Sequence, residues 1–335
     1  MKTRLLTVIA LLAAIWLPAY AQTWERDTLS GKGYYDLTIN QPDDYQGKVV
    51  STVIRKLSDC ANKRAILYVH GFNDYFFQTE MGDRFVDSCY NFYAVDLRRY
   101  GRSLRKGERK FDVRNLRDYF PDIDSALSVI KRDGNREVIL MGHSTGGLIT
   151  SLFMAEKPDT IIKGLILNSP FLDWNLSKFN ERVAVPLVSF IGGLFPRINI
   201  KQGDSDIYAR SLLKEYDGEW TYDTDLKLVH SPDVTSGWIR AINTAQHLLC
   251  KKSTRIDVPI LLLHSDRSEG AEGSTYMNSD CVLDVKDISK YGRKLGPDVT
   301  EETVAGGLHD LALSAPAVRN KFYTDIFQWL DKNGL

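Results

Sequence analysis

The chain has 335 residues, with 43 basic and 43 acidic side chains and 43% hydrophobic residues. A balanced charge provides no basic face for nucleic acid, and the apolar content suffices for one large core or two ordinary ones. The sequence has no Gly-X-Y period, heptad run or repeat of 20–50 residues, which excludes fibres, coiled coils and solenoids.

Lys2 and Arg4 precede a 13-residue, almost wholly apolar run at 5–17, followed by Pro18 and Ala19-Tyr20-Ala21. Charge, length and the small-x-small triplet match a secretory signal peptide cleaved after Ala21; a membrane span would take about 20 apolar residues. The sequence therefore predicts an exported chain, secreted or periplasmic, with residues 1–21 removed and no integral membrane span. Export makes Cys60, Cys89, Cys250 and Cys281 candidates for disulfides. Cys60 and Cys89 each stand just before a predicted strand and would be close if those strands are neighbours; Cys250 and Cys281 have no comparable argument. No CxxC, HExxH or HxxxH spacing occurs, so no metal site is expected.

Strands are expected at 34–39 and 48–57, then as short buried runs at 65–69, 92–96, 138–141, 162–167 and 259–264, with a last one at 299–305. Helical periodicity at 79–88, 115–132, 145–156, 285–295 and 315–332 alternates with them, which predicts an α/β domain with a mostly parallel sheet. Residues 172–257 break this rhythm. They are rich in aromatics, show helical periodicity at 179–195 and 234–249, and read as a mainly helical cap. The predicted core is thus split into 22–171 and 258–335.

Gly142-His143-Ser144-Thr145-Gly146 lies where a buried strand meets a helix, the setting that gives G-x-S-x-G its meaning. Gly142 and Gly146 allow a sharp turn that projects the Ser144 hydroxyl, the candidate nucleophile. Ser needs a positioned base, and His309, in a Gly-rich loop before the last helix, is the candidate. His70 and His143 read as turn-shaping residues and His264 as a satisfied buried side chain. Two acids follow the strand at 259–264. Asp280 is preferred, because it leads directly into one helix, one strand and His309; Asp266 is the alternative, read otherwise as a loop cap. The N–H groups of Phe72, after the strand at 65–69, and Thr145, at the helix start, are the candidate oxyanion donors. The aromatic loop at 72–77 could line a pocket or pack under the cap.

These segments, together with Asp96-Leu97-Arg98-Arg99-Tyr100-Gly101-Arg102-Ser103, resemble the α/β-hydrolases of the monoacylglycerol lipase/lysophospholipase-like group, classed with the S33 serine aminopeptidases. Asp280-Cys281-Val282-Leu283-Asp284 matches that group's D-x-V-x-D segment. The resemblance implies an eight-stranded sheet, a helical cap between strands six and seven, no cofactor, and hydrolysis of acyl esters or lipids through an acyl-enzyme. The chain departs from the group in having Arg99 where Gly is usual, an extra segment at 265–279 and a bulky 72–77 loop. The rival readings are a serine aminopeptidase and a non-catalytic binding protein on the same scaffold.

Overall fold

A computed structural model describes residues 23–31, 33–61, 63–203, 205–251, 255–269 and 275–335; the expected signal peptide lies outside them. The chain opens with β1 (Glu25–Arg26), β2 (Tyr35–Asp44), β3 (Gly47–Lys56), β4 (Arg64–Val69), α1 (Thr79–Asp87) and β5 (Asn91–Asp96). It continues through α2 (Phe120–Arg132), β6 (Glu137–His143), α3 (Thr145–Glu156) and β7 (Ile162–Asn168). Next come α4 (Val185–Leu194), β8 (Asn199–Ile200), α5 (Ile207–Leu212), β9 (Val234–Thr235) and α6 (Ser236–Lys251). The chain closes with β10 (Ile260–Ser265), α7 (Val285–Gly292), β11 (Val299–Val304) and α8 (Pro316–Lys332).

Among the described residues the main sheet has nine strands in the order β1-β2-β3-β5-β4-β6-β7-β10-β11. The eight expected strands are all present; the ninth is the two-residue β1, added antiparallel to β2 at the edge. From β5 to β11 every neighbouring pair is parallel. These inner strands are buried on both faces, which is why their sequences are continuous apolar runs. Alternate residues feed two cores. Leu67, Val69 and Leu140 pack with Ile123 of α2 and Leu148 and Leu152 of α3. Ile66, Tyr68, Ile139 and Met141 face the other way, towards Phe85 of α1 and Phe322, Ile326 and Trp329 of α8.

The helix expected at 115–132 is shortened. A tight turn at Leu116–Tyr119 precedes α2, and Pro121 sits in the first turn of α2, where its missing N–H leaves no bond unmade. Cys60 and Cys89 form a disulfide with a Cα–Cα distance of 5.5 Å, at the N-terminal ends of the paired strands β4 and β5. Cys281 is a free thiol, and Cys250 Sγ donates to Leu172 O at 3.3 Å. Between β7 and β10 the helices α4, α5 and α6 are joined by longer irregular stretches, and β8 and β9 form a separate two-stranded ribbon. Helix α4 lies along α6 at close range: Gly192 faces the Ser236 carbonyl with no room for a Cβ. No helix among the described residues is long and apolar enough to cross a membrane.

Candidate active site

The C-terminal ends of β4, β6, β7, β10 and β11 lie along one sheet edge, and the chemistry-bearing loops leave from it. Between β6 and α3 the whole turn is a single residue, Ser144, at φ +52° and ψ −117°. This is left-handed backbone that a side chain adopts only when its surroundings enforce it. The enforcement is steric. A Cβ on Gly142 would lie 2.5 Å from Thr150 Oγ1, and one on Gly146 would collide with the carbonyl oxygens of Val69 and His70. Ser144 N donates to Asn168 O at 3.0 Å, and Phe171 N donates to Ser144 O at 2.9 Å, tying the bend to the end of β7.

His309 follows β11. Its Nε2 lies 2.9 Å from Ser144 Oγ and its Nδ1 lies 2.9 Å from Asp280 Oδ2. Ser144 is 8% exposed, His309 2% and Asp280 0%. The remaining Asp280 oxygen accepts the N–H groups of Val282 and Leu283, both at 2.8 Å, so the buried carboxylate has a partner on each side. Asp266, the alternative acid, does not meet His309. It accepts Gly306 N at 2.9 Å and pairs with Arg267 at 2.6 Å, capping the loop that carries His309. Burial opposes its charge, but Arg267 and the Gly306 N–H hold its carboxyl below the usual range. The extra segment after β10 closes on itself: Asp280 N donates to Arg267 O, and Glu269 N donates to Asp280 O, each at 3.0 Å. Asp280 therefore returns beside the end of β10 after its excursion. His264 is buried and satisfied, with Nδ1 2.7 Å from Ser265 O and Nε2 2.9 Å from Glu301.

The loop after β4 lies against the bend: a Cβ on Gly71 would stand 3.0 Å from Ser144 Cβ. The N–H of Phe72 is next in the chain. That of Thr145 belongs to the first turn of α3, where N–H groups have no acceptor within the helix. The Phe72 ring packs on Phe111 and on Trp238 of α6, with centroids 5.4 and 4.7 Å away. Asn73 exchanges two hydrogen bonds with the Leu228 backbone, and Tyr75 OH accepts Asp223 N at 2.9 Å. The 72–77 loop therefore packs under the 172–257 segment, as one of its two expected roles required.

The sequence profile of the serine aminopeptidase S33 family matches residues 61–313, about three quarters of the chain. The chain belongs to the serine aminopeptidase S33 family. Among curated relatives, monoglyceride lipase of Rattus norvegicus is 25% identical over 235 residues, covering 69% of this chain and 70% of its own length. A soluble variant of monoglyceride lipase from Saccharomyces cerevisiae, solved with a substrate analogue, superposes with a TM-score of 0.62 at 18% identity, covering 88% of this chain and 96% of that one. Monoacylglycerol lipase of Paleococcus ferrophilus gives 0.58 at 18% identity, over 90% of this chain and 99% of that one. The fold of this S33 member is the α/β-hydrolase fold.

Two features of the S33 chain escaped sequence reasoning. His143, read as a turn-shaping residue, is buried between Asp74 and Asp310. Lys227 is buried too, with Nζ 2.8 Å from Asp74 Oδ1. A lysine in a long helical insertion carries no local signal of burial, whereas the Asp directly after His309 was visible and went unused. Arg99 keeps the backbone that a Gly would favour, at φ +68°, and its buried guanidinium pairs with Asp44.

Proposed function

We propose that the protein is an exported serine hydrolase that cleaves carboxylic esters through an acyl-enzyme, with acyl lipids of the monoacylglycerol or lysophospholipid type as substrates. The observation that carries the reading is the buried Ser144–His309–Asp280 chain of hydrogen bonds at the strand-to-helix bend. Asp280 holds the proton of His309 on Nδ1, leaving Nε2 free to accept the Ser144 proton. Ser144 Oγ bonds to the carbonyl carbon, and the negative oxygen is received by the Phe72 and Thr145 N–H groups, each worth about 3 kcal/mol of barrier. The alcohol leaves with the proton from His309; water then repeats the sequence and releases the acid.

A second observation favours lipids over peptides. Leu176, Phe179, Val183, Leu187, Phe190 and Leu194 recur every three or four residues, and with Phe195 and Ile198 they are 44–69% exposed. The opposite face of α4, with Val185, Ser189 and Gly192, is buried against α6. Between 176 and 201 stand Lys178, Arg182, Arg197 and Lys201 against one acid, Glu181. An apolar stripe rimmed by cations suits a lipid–water interface. We read 172–257 as a cap over the poorly exposed Ser144, so that substrate reaches the site when the cap shifts at such an interface. Names of relatives such as monoglyceride lipase agree with this substrate class. The apolar leader at 5–17 and the Cys60–Cys89 disulfide support export.

A chain-length series of p-nitrophenyl esters, run beside an aminoacyl arylamide, tests the proposal. Ester turnover with fluorophosphonate labelling of Ser144 is expected. Release of the arylamine without ester turnover would favour an aminopeptidase, and absence of labelling in folded protein would favour a binding protein.

A further inference from the structure

Behind His309 lies a buried group of charges that the hydrogen-bond chain does not use. His143 packs on His309 with ring centroids 5.0 Å apart. Its Nδ1 is 3.7 Å from Asp74 Oδ2 and 3.8 Å from Asp310 Oδ2. Asp74 comes from the loop after β4, and Asp310 directly follows His309. The other Asp310 oxygen accepts Asn168 Nδ2 at 2.7 Å and Ala312 N at 3.0 Å. Lys227 reaches in from the 172–257 segment to Asp74 and lies over the rings of Phe77, Tyr208 and Tyr222. The titratable groups around His143 are thus Asp74, Asp310, Lys227 and His309, with His70 beside Asp74, Asp280 on the far side of His309, and Tyr68, Tyr208 and Tyr323 behind the two carboxylates.

The charges do not balance without His143. Two carboxylates and one ammonium, all buried, leave a net −1, which is costly, and both His143 nitrogens are buried without a hydrogen-bond partner among the described residues. The binding atoms of Asp74, His143 and Asp310 fall within 4.8 Å of one another. Lys227 already holds one Asp74 oxygen, so the missing cation is a proton. We infer that His143 is a charge-balancing positioning residue, held as an imidazolium between Asp74 and Asp310 so that the oxyanion at the Phe72 and Thr145 N–H groups forms beside a neutral cluster. The inference rests on the ester-hydrolase reading. Burial alone would keep the ring neutral, but Asp310 and then Asp74 outweigh it and raise its pKa. The geometry couples the cluster to the reaction. His143 Nδ1 lies 3.2 Å from where a Gly71 Cβ would stand, so it borders the backbone that leads into the Phe72 N–H. When His143 loses its proton, a net negative charge faces the developing oxyanion, and activity falls on the alkaline side.

The test has two parts. Ring ¹H–¹⁵N correlation spectra of the intact protein, followed over a pH series, read the protonation of His143 directly; both nitrogens are expected to carry protons until the pH has passed above the ordinary 6.5. His143→Gln makes the cluster permanently negative. It should lower kcat on a short p-nitrophenyl ester by on the order of 10- to 100-fold, leave KM nearly unchanged and abolish the alkaline limb. His143→Gln combined with Asp310→Asn restores neutrality and should recover most of the loss, which a purely structural role would not do. A His143 that titrates at or below its ordinary 6.5, or a double variant no better than the single one, overturns the inference. Absence of ester turnover in the wild type would strike the Ser144 assignment instead, while the ring spectra still decide the state of His143.

Discussion

Replacing Asp280 with Asn separates the two acids that the sequence left open. The substitution is nearly isosteric, and the amide oxygen can still accept the Val282 and Leu283 N–H groups now 2.8 Å from Oδ1. The amide NH₂ is then forced towards His309 Nδ1, where the carboxylate now lies at 2.9 Å. Donor would face donor, so the ring moves its proton to Nε2, the atom that has to accept from Ser144 at 2.9 Å. The wrong tautomer in a preserved site is expected to lower kcat by about 10⁴, or roughly 5 kcal/mol of barrier. Asp266→Asn keeps an acceptor for Gly306 and loses only a largely exposed pair with Arg267, so its loss should stay below about tenfold. Both variants are assayed on p-nitrophenyl esters, with far-UV circular dichroism as the folding control. If Asp266→Asn proves the more damaging in folded protein, the assignment of Asp280 is wrong.

Three further outcomes are expected. The raised pKa of His143 means that the folded state holds its proton more tightly than the unfolded one, whose ordinary value is 6.5. That stabilisation is complete below about pH 6.5 and disappears as pH rises through the folded value, so urea midpoints should fall on the alkaline side in the wild type and stay level in His143→Gln. Replacing Cys60 and Cys89 with Ser opens a loop with a sequence separation of 29 and should cost about 3 to 4 kcal/mol in denaturant unfolding; an unchanged midpoint would show that the bridge does not form. Phe179→Ser, Phe190→Ser and Leu194→Ser together remove three exposed side chains from the apolar stripe. If the stripe meets lipid, each contributes on the order of 1.5–3 kcal/mol, so partition onto anionic vesicles should drop more than a hundredfold while turnover of a soluble short ester is kept. Equal partition by the variant would refute the interfacial reading.

The bend was legible because its causes are local: a buried strand, two positions that tolerate no Cβ, and a helix start within six residues. His309 was legible from chain order, and Asp280 from the length of chain needed to reach β11. The sheet was legible wherever burial on both faces leaves an unbroken apolar run. The buried cations were not. Lys227 meets Asp74 across 153 positions and Arg99 meets Asp44 across 55, and nothing near a charged residue in the sequence says that it will be paired inside. His143 was misread for a related reason: its neighbours Gly142 and Ser144 explain a turn, while the carboxylates that give it a charge come from two other loops.

The 72–77 loop brings these threads together. Phe72 offers the proposed oxyanion N–H while its ring is held by Trp238 of α6. Asn73 is tied to Leu228, Asp74 to Lys227, Tyr75 to Asp223, and Phe77 packs on Tyr222 with ring centroids 5.0 Å apart. Five of six consecutive residues thus anchor the 172–257 segment, and the first of the five carries the proposed oxyanion N–H. A cap that shifts to admit substrate therefore acts on the oxyanion donor and on the charge balance around His143 in the same motion. On the proposed interfacial reading, the exposed apolar stripe of that segment places the stimulus for the motion at a lipid surface. Access, oxyanion geometry and charge near His309 are then set by one packed interface, not by three independent parts.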